Sequence, residues 1–166
     1  MPSHEVSATD FLKGNPHVYA HKARRKKIAL IKLDLTNDGD GPVEFELGSA
    51  KLIAGGNRHD IDAPETLIKK FREFTWGFII FAILDFHPLL IMCDLLFLIM
   101  GPLYNRRLRR QLRDLTNESI HLKAGEKKTV VLGFLTVKQA PEQIQVRHRA
   151  ENADWITTDY AVPRDQ

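Results

Sequence analysis

Residues 28–47 read IALIKLDLTNDGDGPVEFEL, and their alternation sets the fold class. Ile31, Leu33 and Leu35 fall on one side of an extended chain, and Lys32, Asp34 and Thr36 fall on the other. Asn37-Asp38-Gly39-Asp40-Gly41-Pro42 is a dense turn signal. Val43, Phe45 and Leu47 then alternate with Glu44 and Glu46, which predicts a second strand. Toward the N-terminus, residues 17–27 are basic, with Lys22, Arg24, Arg25, Lys26 and Lys27. They read as a solvated lead into the first strand, or as a patch for phosphate or anionic lipid. Residues 1–16 have no clear period and read as a flexible lead-in.

Toward the C-terminus, residues 50–54 form a short apolar stretch that stops at Gly55-Gly56, and residues 57–62 have room for a short strand. The pattern changes at Pro64-Glu65, which suits a helix start. Leu67, Ile68, Phe71 and Phe74 share one helical face, with Lys69, Lys70 and Arg72 elsewhere. Strand signals return at 119–123, 127–137, 143–149 and 155–162, with turns between them. About seven strands in two groups predict a mainly β chain, an antiparallel sandwich interrupted by an inserted helical block. The expected organisation is a lead-in at 1–16 and half-sandwiches at 17–63 and 118–163, with an insertion at 64–117.

Within that insertion, residues 76–104 contain almost nothing polar, which the chain's mean hydropathy of -0.25 conceals. As one helix the run would be about 43 Å long, against a hydrocarbon core of about 30 Å. Its Leu, Ile and Phe residues favour insertion by about 8 kcal/mol, and Asp85 and Asp94 oppose it by about 5–7 kcal/mol if charged near the centre. Pro88 kinks or ends a helix, leaving pieces of about 16 Å and 24 Å, each too short to span. Strands on both sides of the run must share one side of a membrane if they form one sandwich. Lys69, Lys70 and Arg72 flank one end, and Arg106, Arg107, Arg109, Arg110 and Arg113 flank the other, which places both ends at an anionic cytoplasmic leaflet. The expectation is a membrane-embedded hairpin carrying Trp76, Phe78, Phe81, Leu84, Phe86, Pro88, Leu90, Leu96, Phe97 and Tyr104. Trp76 and Tyr104 bracket it as interfacial aromatics do. A single span and a helix pair buried in protein are the competing readings.

Chemistry is sparsely signalled. Asp85, His87 and Asp94 are the candidates for proton relay or catalysis, because ionisable groups at membrane depth invite that reading. Their spacing does not gather them on one helical face, and they read better as hairpin-tip and pairing groups. No phosphate-binding glycine loop, nucleophile elbow or H-E-x-x-H box occurs. His148 lies on an alternating strand and reads as a packed or exposed strand residue. Cys93 is the single cysteine, which excludes an internal disulfide framework, and it reads as inert in its apolar setting. The net charge of +3 is too small to imply nucleic acid. The N-terminal residues lack the apolar core of a signal peptide.

Ala124-Gly125-Glu126 before a strand, the Gly133-Phe134-Leu135 step within it, and the early strand and Asn-Asp-Gly turn over 33–41 carry a resemblance. In these features the chain resembles a loosely defined bacterial group of envelope-associated proteins with an immunoglobulin-like sandwich and a hydrophobic insertion. The resemblance implies that fold, and an extracytoplasmic place if a leader precedes the sequence; it implies no activity. The expected function is a membrane-anchored, non-enzymatic binding or scaffold module on an anionic leaflet, with a protein partner or second copy, and with no cofactor or metal. The alternatives are a membrane enzyme or proton-coupled component using Asp85, His87 and Asp94, and a soluble subunit burying its apolar helices in an oligomer.

Overall fold

The computed structural model describes residues 4–12, 18–72 and 88–163. Among these, eight strands occur: β1 (His4–Asp10), β2 (Ala29–Asn37), β3 (Val43–Ala54), β4 (Asn57–Asp60), β5 (Ile120–Leu122), β6 (Lys127–Phe134), β7 (Pro141–Ala150) and β8 (Ile156–Ala161). Three helices accompany them: α1 (Val18–Lys26), α2 (Pro64–Phe71) and α3 (Pro88–Gln111). The strands form two antiparallel sheets, one ordered β1-β2-β6 and the other β4-β3-β7-β8, with β5 also paired to β3.

Alternation explains both sheets. Ile31, Leu33 and Leu35 of β2 and Val130, Leu132 and Phe134 of β6 share one buried cluster with Phe45, Leu47 and Leu52 of β3 and Ile144 and Val146 of β7. Lys32 and Asp34 point away from that cluster and pair with each other at 2.8 Å. The reading of 43–47 and 50–54 as separate pieces merges into one strand, because β3 stays paired to β7 across a bulge between Glu46 and Lys51. β3 turns into β4 through Gly55 and Gly56, at φ 56° and 76°. A two-residue turn with both φ positive matches the twist of paired strands, and glycine adopts it without strain.

Two expectations are corrected at the N-terminus. Residues 4–10 are not a flexible lead-in but a strand, in register with β2 from His4↔Asn37 to Asp10↔Ile31. Ala8 is buried and Val6 packs on the core, while Glu5, Ser7 and Thr9 face solvent, so small residues hid the alternation. The basic stretch is a helix, α1, rather than a strand lead: Ala23 is fully buried, and its carbonyl accepts the Ile28 amide.

The turn after β2 does not make a hairpin. It carries the chain from one sheet to the other, and Asn37, fully buried, organises the crossing. Its Nδ2 donates to the Gly41 and Leu122 carbonyls at 2.8 and 3.2 Å, and its Oδ1 accepts the Gly39 amide at 3.1 Å. Its main chain bonds to the other turn, donating to the Glu126 carbonyl and accepting the Gly125 amide. Gly125 sits at φ 73°, which glycine tolerates.

Met1–Leu67 with Asp114–Gln166 form one compact unit, and Ile68–Arg113 form another. The first unit is therefore assembled from chain on both sides of the second. Both junctions are fastened to β6. Asp62 donates its amide to the Gly133 carbonyl, and its Oδ2 accepts the Leu135 amide at 2.7 Å. After the second unit, Val131 donates to the Asp114 carbonyl and accepts the Thr116 amide. Leu67 lies over Gly133 so closely that an added Cβ would stand 2.2 Å from Leu67 Cδ1.

Two substitutions test this frame by urea unfolding. Asn37→Ala removes the amide and leaves the buried Leu122 carbonyl without its side-chain partner; the expected loss is about 2–3 kcal/mol. Gly133→Ala drives a methyl group into Leu67; the expected loss is about 1–3 kcal/mol.

Candidate functional site

Pro88 opens α3, where a helix tolerates proline because its first amide has no intrahelical partner. The basic flank from Arg106 to Arg110 is the C-terminal part of α3, which runs through Pro102 and ends at Gln111. Among the described residues no helix is long and apolar enough to cross a membrane. The arginines shorten the apolar portion of α3, so an α3 span is not supported.

The outer surface of α3 is unusual. Met92, Leu96, Ile99, Met100 and Leu103 are 62%, 57%, 61%, 58% and 54% exposed. Their spacings of four, three, one and three put them along one helical stripe. One turn on, Arg106, Arg107, Arg109 and Arg110 are exposed, while Leu108 and Leu112 are buried. Arg113 is also exposed, as are Lys69 and Lys70 of α2 and the following Arg72. Each expected headgroup-binding cation thus faces solvent. Tyr104 is half-buried. Trp76, Phe78, Phe81, Leu84, Asp85, Phe86 and His87 lie outside the described residues. Pro88, Leu90, Asp94 and Phe97 belong to α3, with side chains outside the described residues.

In the sheet unit, charge is disposed differently. Arg149 reaches Glu44 on the neighbouring strand at 2.6 and 2.7 Å, and Arg147 reaches Glu46 at 3.0 Å. Both guanidinium groups also lie over the Trp155 ring, 5.3 Å (Arg147) and 4.6 Å (Arg149) from its centroid. Trp155 anchors the chain entering β8 by cation–π contact. These arginines have partners within the sheet unit, whereas the α3 arginines are exposed.

One titratable cluster escaped sequence reading because its first member lies in the supposed lead-in. His4 of β1 meets His148 of β7 with ring centroids 4.1 Å apart, and meets Phe45 edge-on at 5.7 Å. His148 is buried, and its Nε2 lies 2.9 Å from Thr158 Oγ1. Tyr160 Oη lies 3.5 Å from His4 Nε2, and His4 Nδ1 is buried with no hydrogen-bond partner among the described residues. Burial holds both imidazoles below their usual pKa, and for His148 the proximity of His4 adds to it. Burial raises the Tyr160 pKa. Among the described residues the cluster contains no carboxylate or activated nucleophile. It joins the two sheets through neutral rings. Among the described residues no three His, Cys, Asp or Glu side chains are placed to hold a metal ion.

The pH dependence follows from these directions. With folded pKa values below the unfolded value of about 6.5, the unfolded chain binds more protons as acid is added. The two histidines therefore contribute stability that is complete above about pH 6.5 and is lost as pH falls through their folded values. Thermal unfolding between pH 7.5 and 5 is expected to show a falling midpoint, and His148→Gln is expected to flatten that fall. The chain matches no protein-family model and no curated protein sequence.

Proposed function

We propose that the chain is a non-enzymatic, membrane-anchored interaction module. Its sheet unit is read as an immunoglobulin-like sandwich, and its second unit as a hydrophobic hairpin that enters one leaflet without crossing. The observation that carries this reading is the exposed apolar stripe of α3, continuous along the helix with four exposed arginines. A stripe of Met, Leu and Ile rimmed by cations suits the boundary between acyl chains and anionic headgroups. Each cation near that surface contributes about 1 kcal/mol of attraction.

Strand order supports the sandwich. A three-stranded sheet, β1-β2-β6, shares one core with a five-stranded sheet, β4-β3-β7-β8 with β5 on β3, and the chain crosses between them from β2 to β3. The junctions support the hairpin. The chain leaves from Asp62 beside Gly133 and Leu135 and returns at 114–116 beside Val131, so departure and return meet on one strand. A single crossing would have to separate these points. The basic flanks then favour the cytoplasmic leaflet.

Flotation with vesicles tests the reading. The full chain is expected to float with vesicles containing phosphatidylglycerol and to float less with neutral vesicles or at high salt. Replacing Arg106, Arg107, Arg109 and Arg110 together by Gln is expected to remove the salt sensitivity. Leu96→Glu with Ile99→Glu is expected to abolish binding at all lipid compositions. A monodisperse, detergent-free oligomer that ignores vesicles would overturn the proposal and favour a subunit that buries α3 against its own copies.

A further inference from the structure

We propose that the sheet unit holds a binding site for a phosphate ester, in the cavity between α1, the end of β1 and the β6–β7 loop. This cavity is about 420 Å³ in volume, within the range of small-molecule sites. Its walls include Leu12, Ile28, Val137 and Pro141, which offer an apolar bed, while Arg24 and Lys138 line it with positive charge. A second cavity of about 390 Å³ adjoins it, sharing Lys138 and Gln139 and adding Arg58 and His59.

Three observations point to an anion. First, Arg24, Arg58 and Lys138 have no ion pair or side-chain hydrogen bond among the described residues, in contrast to Arg147 and Arg149. Second, cations outnumber carboxylates: Arg24, Arg58 and Lys138 line the two cavities against the single carboxylate of Asp10 among the described residues, and Asp10 Oδ1 already accepts the Leu12 amide at 3.0 Å. Third, the loop is held in a strained shape. Thr136 sits at φ 62°, in a region that β-branched residues avoid, and Lys27 at φ 56°. Between these two strained residues, the Val137 amide donates to the Lys27 carbonyl at 2.9 Å, which ties the loop to the end of α1. Strain of this kind persists where the surroundings enforce it, and it gathers at binding sites.

Gln139 completes the partition between the cavities. Its carboxamide occupies the open face of Gly55, where an added Cβ would stand 0.9 Å from Gln139 Oε1. Glycine at 55 thus lets the amide lie where it can donate to a ligand in either cavity. Arg24 and Lys138 match the two negative charges of a phosphate monoester, and guanidinium geometry favours its paired oxygens. The apolar walls call for a ligand with an apolar body beside its phosphate. A soluble aryl or alkyl phosphate and a lipid phosphate share that chemistry. All of these residues lie in the sheet unit, so the proposal stands apart from the membrane reading of α3.

Titration of the full chain with phenyl phosphate, followed by amide NMR shifts at Leu12, Val137 and Lys138, is the test. Phenyl phosphate is expected to bind saturably and at least about tenfold more tightly than inorganic phosphate, because only the former uses the apolar walls. Arg24→Gln and Lys138→Gln, both at exposed positions, are each expected to weaken binding by about tenfold with the thermal midpoint unchanged. Gly55→Ala is expected to displace Gln139 and weaken binding. Competition by vesicles containing phosphatidic acid would assign the site to a lipid phosphate; saturable binding without competition would assign it to a soluble ester. Absence of saturable shifts, or affinity unmoved by both cation substitutions, would overturn the proposal.

Discussion

The buried carboxamide of Asn37 is the interaction on which the two sheets depend. Where the chain leaves β2 and starts β3 it must turn a corner inside the protein, and a corner exposes main-chain groups that neither sheet can pair. Asn37 supplies a donor group for the carbonyls of Gly41 and Leu122 and an acceptor for the Gly39 amide. Its own amide and carbonyl are taken by Glu126 and Gly125 on the turn leading into β6. Two turns far apart in sequence are thus locked through one residue, by its side chain on one turn and its main chain on the other. Once that corner is fixed, Leu35 and Phe45 face the same core from opposite sheets.

Charge is used in two ways. Across β3 and β7, carboxylates and guanidinium groups stand directly opposite, Glu44 with Arg149 and Glu46 with Arg147, and Trp155 caps them. At an exposed surface such pairs add little stability, but they set register and leave little charge for a partner. On α3 and around the β6–β7 loop, cations stand without such neighbours, beside apolar surface in the first case and an apolar cavity in the second. The difference in pairing, more than the number of charges, separates these two kinds of surface.

Much of the β framework was legible because burial on one face imposes a period of two. The strands at 28–36, 43–47, 143–149 and 155–162 declared themselves in this way, as did the helix start at Pro64. Single residues also have physical reasons: Gly125 serves the turn locked to Asn37, and Gly133 makes room for Leu67 while Phe134 fills the core. What stayed hidden was set by distant chain. β1 carries small side chains whose alternation is faint, and it is a strand because β2 offers it an edge. The meeting of His4 with His148 crosses most of the sequence, and no spacing rule anticipates it. The cavity beside α1 was likewise invisible, since it joins residues from β1, α1 and the β6–β7 loop. The basic run at 22–27 signalled charge there but not its setting.

The fastening of both junctions to β6 makes the second unit separable in a topological sense. Asp62 binds at Gly133 and Leu135, and Asp114 and Thr116 bind at Val131, so the chain departs and returns within about one strand repeat. Such a place accepts exchange: the segment between the junctions can lengthen, shorten or be replaced without moving a single strand pair, because its ends already stand side by side and closing a longer loop costs only about 0.6 kcal/mol per doubling. A two-sheet frame with a neck of this kind can take spliced segments of different length and composition while its own strand pairing stays the same.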